Sequence, residues 1–368
     1  MKFKEFCKKN IPLSSAILII LALVCVIIKT VSVLSVPFAE FFNRYISAFF
    51  RMISAFVSGI LPFSIAETAV ICAIPFAILF VVYSIKVSAK NDTLLRQIFR
   101  LVGVICFIFS TFVLNYSTGY DVAPLSDKMG IEAKTPDVEE LQLASTLAGI
   151  QIYRCEDGFD YKSGATKMPF TFSELCDKLN DAYDTLADEY DFISHLRAPV
   201  KQIALSKPLT YTHMSGFYTF FTGEANVNMN YPDYIIVFTT AHEMAHQRGI
   251  AREDEANFVA FLACTAAEDK YINYCGYANI LEYLAVAFAS ADEDRYYSEL
   301  VKFLPESFKH DIVAFSEMFK PYKDNIAADV TSSANNAYLK SQRVEEGEKS
   351  YSLVVDLATA YIIEKFAQ

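Results

Sequence analysis

Long, nearly unbroken apolar runs fill the first third of this chain, and shorter, periodic apolar positions fill the rest. Residues 11 to about 36 carry one charge, Lys29, over a length that spans a hydrocarbon core about 30 Å thick. The run is too long for a signal-peptide core and no small-residue cleavage site follows it. It reads as an uncleaved anchor, with Lys29 reaching toward the interface. Residues about 65–85 and about 98–116 are a second and a third span. Between the first two, residues about 38–60 place Phe38, Phe42, Tyr45, Phe49, Ile53 and Phe56 at helical spacing, with Glu40, Arg44 and Arg51 on another side. That pattern predicts an amphipathic helix lying in the membrane interface, or one packed on the membrane helices.

The periodicity changes from about residue 118. Residues 118–136 are polar, with Pro124, Gly130 and Pro136, and read as a linker. A helix is predicted from Asp137 to about Arg154, with Asp137, Glu139 and Glu140 in its first turn. A second, capped by Thr171 or Ser173, runs to about Ile193. Short strands follow near 200–205, 216–221 and 223–230, the last two joined near Gly223. In the third strand Asn226, Asn228 and Asn230 alternate with Ala225, Val227 and Met229, so the amides share a face. Lying just before the next helix, it offers an edge to which an extended peptide could add. The remainder is helical, in stretches near 233–248, 252–271, 277–290, 292–304, 307–319, 325–344 and 351–366. The last is amphipathic and too short for a fourth span. The fold class is therefore mainly α. A three-helix membrane region (1–117) is followed by the linker and an α+β domain with a small sheet (137–368).

Charge sharpens the division. Of 32 basic and 43 acidic residues, 11 and 4 fall within residues 1–117, leaving 21 and 39 for the rest. Basic residues precede the first span and fill the connection after the second. The positive-inside rule then puts the N-terminus and the loop near 86–97 in the cytoplasm, and the domain beyond residue 118 outside. No basic patch with interleaved aromatics occurs, which excludes a nucleic-acid partner. The expected partners are the lipid bilayer and a peptide or protein substrate. The eight Cys include no C-x-x-C pair, so a cysteine metal site is not expected. Cys155, Cys176, Cys264 and Cys275 read as free, buried thiols, two disulfides among them being the alternative.

The chemistry gathers in His242-Glu243-Met244-Ala245-His246. Two His four apart project from one helix face, the spacing two nitrogen ligands need to grip one Zn²⁺. Glu243 stands where this motif places the carboxylate that takes a proton from water. Three protein ligands are usual in a catalytic site, and a third is expected on the helix after Gly249. Glu253 has Asn257 one turn on, able to bond a ligand from behind, and is favoured; Glu255 is the alternative. Oxyanion donors are sought among Tyr338, Tyr218 and Tyr274, and in His213.

On these residues the chain resembles an uncharacterised family of bacterial membrane proteins defined by an H-E-x-x-H motif and taken to be zinc peptidases. The stretches that carry the likeness run from Gly216 to Tyr218, from Thr222 to Asn228, from His242 to Phe258, and from Asn336 to Gln342, with Ser350-Tyr351 near the end. More distantly, Glu253-x-x-Ala256-Asn257 after two His is similar to the gluzincin pattern, which implies Glu253 as third ligand and a zincin-like domain. The gap from His246 to Glu253 is shorter than in most gluzincins, which keeps Glu255 in play. The expected function is a membrane-anchored zinc metallopeptidase acting on extracytoplasmic peptides or proteins. The rival is a membrane-tethered sensor or scaffold that binds zinc without catalysis, and Arg248, Arg252, Glu253 and Asp254 make a site at bilayer depth costly.

Overall fold

The apolar runs form helices, and so does most of the chain between and after them. The computed structural model describes residues 3–91, 94–161, 164–345, 347 and 353–367. Lys2, Ser350 and Tyr351, used in the sequence reading, lie outside the described residues. By contacts the chain divides into two compact units, residues 1–122 with 219–224, and residues 123–218 with 225–368.

The first unit begins with α1 (Phe3–Asn10) and α2 (Leu13–Leu34), then α3 (Val36–Phe41), which runs through a π-helical turn into α4 (Ala48–Gly59). Two long helices follow, α5 (Ile65–Asn91) and α6 (Leu94–Asn115). Three segments, Leu13–Leu34, Ile65–Val87 and Leu94–Asn115, are long and apolar enough to cross a membrane. Helices α2 and α6 pack on small residues: a Cβ at Gly103 would come within 3.0 Å of Ser15 Oγ.

Two features here go beyond the sequence pattern. In the segment near 38–60, Phe41, Tyr45, Phe49, Ile53 and Phe56 are exposed, as is Arg44, while Arg51 is buried. Arg51 donates to Asn43 Oδ1 (2.9 Å) and to the carbonyls of Asn115 (2.9 Å) and Asn43 (3.0 Å). Among membrane helices, polar groups turn inward to find partners and aromatics face outward. Lys29 does not merely reach for water: its ammonium donates to Asp121 Oδ2 (2.6 Å) and Ser117 O (2.9 Å).

The second unit opens with α7 (Leu125–Met129), α8 (Val138–Cys155) and α9 (Phe172–Glu189). Residues 118–136 are thus not a free linker. Leu125 is buried and its N–H donates to Glu255 Oε1 at 2.9 Å. Reciprocal capping boxes start the next two helices, Asp137 with Glu140 and Thr171 with Glu174.

β1 (Val200–Gln202), α10 (Ser206–Thr210), β2 (Gly216–Thr219) and β3 (Glu224–Val227) come next. The three strands form one sheet in the order β1-β3-β2. β1 runs parallel to β3, with Val200 opposite Ala225 and Gln202 opposite Val227. β3 is therefore central, and the strand just before the motif helix offers no edge; β2 does. Asn226 and Asn228 do not make a solvated face either. Both are buried, and Asn228 Nδ2 donates to Met214 O (2.9 Å) and Thr210 Oγ1 (3.1 Å).

The motif helix is α11 (Asp233–Gln247), followed by α12 (Glu253–Ala266) and α13 (Lys270–Ala291). The expected helix over 252–271 ends early, because Asp269 caps a new one by accepting from Tyr271 and Ile272 N–H. Then come α14 (Glu293–Arg295), α15 (Glu306–Phe319), α16 (Ile326–Ser341) and α17 (Val354–Phe366). Where one helix was expected over 292–304, α14 passes into short π and 3₁₀ turns. The core lies where α8, α9, α11, α12, α13 and α17 pack together. All eight Cys are free thiols, with Cys176, Cys264 and Cys275 buried.

Candidate metal centre

Pro232 and Asp233 start α11, and the Asp233 carboxylate accepts from Met168 N–H (2.9 Å). The helix ends in a Schellman turn: Gly249, at φ 95°, donates to His246 O, and Ile250 N–H reaches Ala245 O. Only a residue content with positive φ closes this turn, and the chain enters α12 three residues later with Glu253 as its first residue. The turn folds Glu253 back over the face that carries His242 and His246.

The three side chains converge. Glu253 Oε2 lies 3.2 Å from His242 Nε2 and 3.3 Å from His246 Nε2. The imidazoles stand nearly perpendicular, with ring centroids 4.6 Å apart. An ion held tetrahedrally at about 2.0–2.1 Å sets its donor atoms about 3.3 Å apart, so these separations suit zinc. Each ring is fixed from behind through Nδ1, His242 donating to Asn257 Oδ1 (2.8 Å) and His246 to Ile250 O (2.7 Å). Both Nε2 atoms are thereby turned to Glu253. Asn257 Nδ2 in turn meets Tyr283 Oη at 3.4 Å. Among the described residues, His242, His246 and Glu253 are the group able to hold a metal ion.

The electrostatics favour a cation. Burial raises the Glu253 carboxyl, yet His246 and the Nε2 contacts from both rings outweigh it and hold the group well below the usual carboxylate range. Burial would lower His246, but Glu253 more than reverses this and brings it to about 9. Burial wins at His242, which is lowered. Glu243, one residue from the ligand set, is buried and lifted to about 8, chiefly by burial. Its Oε2 has no hydrogen-bond partner among the described residues.

One residue matters here that residue type did not flag. A Cβ at Gly216, at the start of β2, would sit 2.7 Å from Glu243 Oε1, 2.6 Å from Thr239 Cγ2 and 2.9 Å from Asn226 O. Only a glycine lets β2 lie this close to the Glu243 carboxylate. Its place opening a strand beside the motif was the available signal.

The other candidates sort themselves. Glu255 points away from the cluster; it accepts from Leu125 N–H, faces Arg252 at 3.7 Å, and is lifted to about 7 by burial. The Tyr218 ring lies 6.4 Å from that of His246, beside the site. Tyr274 is buried elsewhere and donates to Asp311 Oδ2 at 2.6 Å. His213 is occupied by the carbonyl of Tyr322 at 2.7 Å. Tyr338 lies half-buried near the end of α16.

Set against known families, residues 38–359 match the one described as protein of unknown function, DUF3810. The chain belongs to this family. In this DUF3810 protein the matched region begins in α3, ends in α17 and takes in the whole cluster. No curated protein and no solved structure matches it.

Proposed function

We propose that this DUF3810 protein is a membrane-anchored zinc metallopeptidase with a zincin-like domain outside the cell. The observation that carries the reading is the pairing of two imidazoles, each with its Nε2 within 3.3 Å of one Glu253 oxygen, with a buried carboxylate whose Oε2 has no hydrogen-bond partner among the described residues. His242, His246 and Glu253 would hold the ion, and zinc bound there supplies Lewis acidity toward water and the scissile carbonyl. Glu243 takes the proton from the attacking water on Oε2 and returns it to the leaving amine nitrogen. β2 is an edge strand of the sheet beside Glu243, along which an extended substrate can pair. Tyr218, whose ring lies 6.4 Å from that of His246, is the candidate oxyanion donor beside the site.

A closed structural site fits less well, since among the described residues no fourth side chain completes the cluster and a structural ion needs no base beside it. Basic residues before α2 and after α5 favour a cytoplasmic N-terminus, with the domain outside. The test is zinc content and peptide hydrolysis of purified full-length wild type, Glu243→Gln and His246→Ala. Glu243→Gln should retain about one zinc per chain and lose hydrolysis by at least about a thousandfold, while His246→Ala loses both. Zinc without any Glu243-dependent hydrolysis would favour the sensor.

A further inference from the structure

We infer that the substrate is itself anchored in the membrane and is cut in the extended segment that emerges from its span. The inference rests on the peptidase reading and concerns which polypeptides reach the site. β2 opens beside the catalytic carboxylate, with Gly216 against Glu243 and Tyr218 beside His246. The same chain then enters the membrane unit, which includes residues 219–224.

Four attachments hold that tip there. The Phe220 ring meets Phe112 of α6 edge to face, 5.0 Å between centroids. The Phe220 carbonyl accepts from Asn115 Nδ2, on the last residue of α6, at 2.6 Å. Gly223, at φ 69°, lies on α4 so closely that a Cβ would come within 2.6 Å of Ala55 N. The buried Glu224 carboxylate accepts from Ile65 N–H (3.0 Å) and Ala66 N–H (2.8 Å), capping the first turn of α5. The start of α5 and the end of α6 are at the same face of the membrane, because the chain enters through one and returns through the other. The tip is thus fixed where spans end.

Chain length does the rest. Gly216 and Phe220 are four residues apart, at most about 14 Å of extended chain. This bound comes from the covalent chain and is independent of how the two units are arranged. A folded soluble protein does not bring a scissile bond that near a bilayer without clashing with headgroups. An extended segment leaving a neighbouring span does so readily, and diffusion in the membrane plane raises its local concentration.

The experiment reconstitutes the full-length protein, zinc-loaded, in phosphatidylethanolamine/phosphatidylglycerol vesicles with a single-span reporter. The reporter carries a mixed-sequence unstructured segment of about 60 residues, long enough to leave the interface. Cut positions are mapped by mass spectrometry, and the same segment without its span is assayed as a soluble competitor. Cuts should cluster within about ten residues of the span, and the soluble segment should be cut at least about tenfold more slowly. Cuts spread along the segment, or equal rates for both forms, would overturn the inference while leaving the peptidase reading intact. Absence of any cut that Glu243→Gln abolishes would overturn both.

Discussion

Gly216→Ala isolates the placement of the proposed base, Glu243, from the proposed metal ligands. The added methyl would meet Glu243 Oε1 at 2.7 Å, Thr239 Cγ2 at 2.6 Å and Asn226 O at 2.9 Å. Ordinary contact begins near 3.4 Å, so something must give by several tenths of an ångström. Asn226 O is backbone of the central strand and cannot yield alone. The Thr239 methyl and the Glu243 carboxylate, one turn apart on α11, must yield instead. Overpacking of this kind costs about 1–3 kcal/mol of stability. A shift approaching 1 Å at a reacting group costs about a hundredfold in rate, or about 2.7 kcal/mol of transition-state stabilisation. The three atoms nearest the methyl belong to none of His242, His246 or Glu253, so zinc should stay near one per chain. Hydrolysis of a quenched peptide, zinc content by mass spectrometry and the thermal midpoint are measured on the same detergent-solubilised samples. A variant with wild-type kcat/KM would refute the steric argument, and parallel loss of zinc and activity would show that β2 shapes the ligands rather than the base.

Three further outcomes follow from the same geometry. Glu253→Gln should reduce bound zinc to a small fraction of one per chain, and chelation of wild type should abolish hydrolysis until zinc is restored; retained metal in the variant would remove Glu253 from the ligand set. Asn257→Ala leaves the His242 Nδ1–H without its acceptor and should weaken zinc about 10–100-fold in a chelator competition, with Asn257→Asp close to wild type. Glu282 accepts from Tyr234 Oη at 2.9 Å and burial lifts it to about 7 from a usual 4.5. The folded state therefore holds this proton more tightly than the unfolded chain does, so stability falls as pH rises from about 4.5 through about 7, by up to about 3 kcal/mol. Melting at pH 5.5 and pH 8 should show Glu282→Gln with the smaller loss on going to pH 8; equal slopes would contradict the assignment.

The motif helix was legible because two histidines one turn apart are a local pattern, and Asn257 because it shares a face with Glu253. Which of Glu253 and Glu255 faces the histidines was not, since it depends on how the Gly249 turn directs the next helix. Glu255 instead accepts from Leu125 N–H, a pairing 130 residues apart in sequence that no periodicity reports. Alternation found β3 but not its central place, because β1 pairs with it from about 25 residues upstream. On α3 and α4 the spacing was legible, but the burial of Arg51 was not, because its acceptors Asn43 Oδ1 and Asn115 O lie 8 and 64 residues away in sequence. Gly216 escaped notice because a glycine's lack of side chain has meaning only once its neighbours are known.

The three candidate donor groups all fall between residues 242 and 253, so an ion bound there would close a loop of only about a dozen residues. Such closure costs little chain entropy and needs no distant partner to arrive first. On the proposed reading, the chain would capture zinc as soon as this short hairpin of helices is free to form. The helices α13 and α17 would then condense on a segment already pinned, and a metal-starved cell would be expected to accumulate chains stalled at that stage.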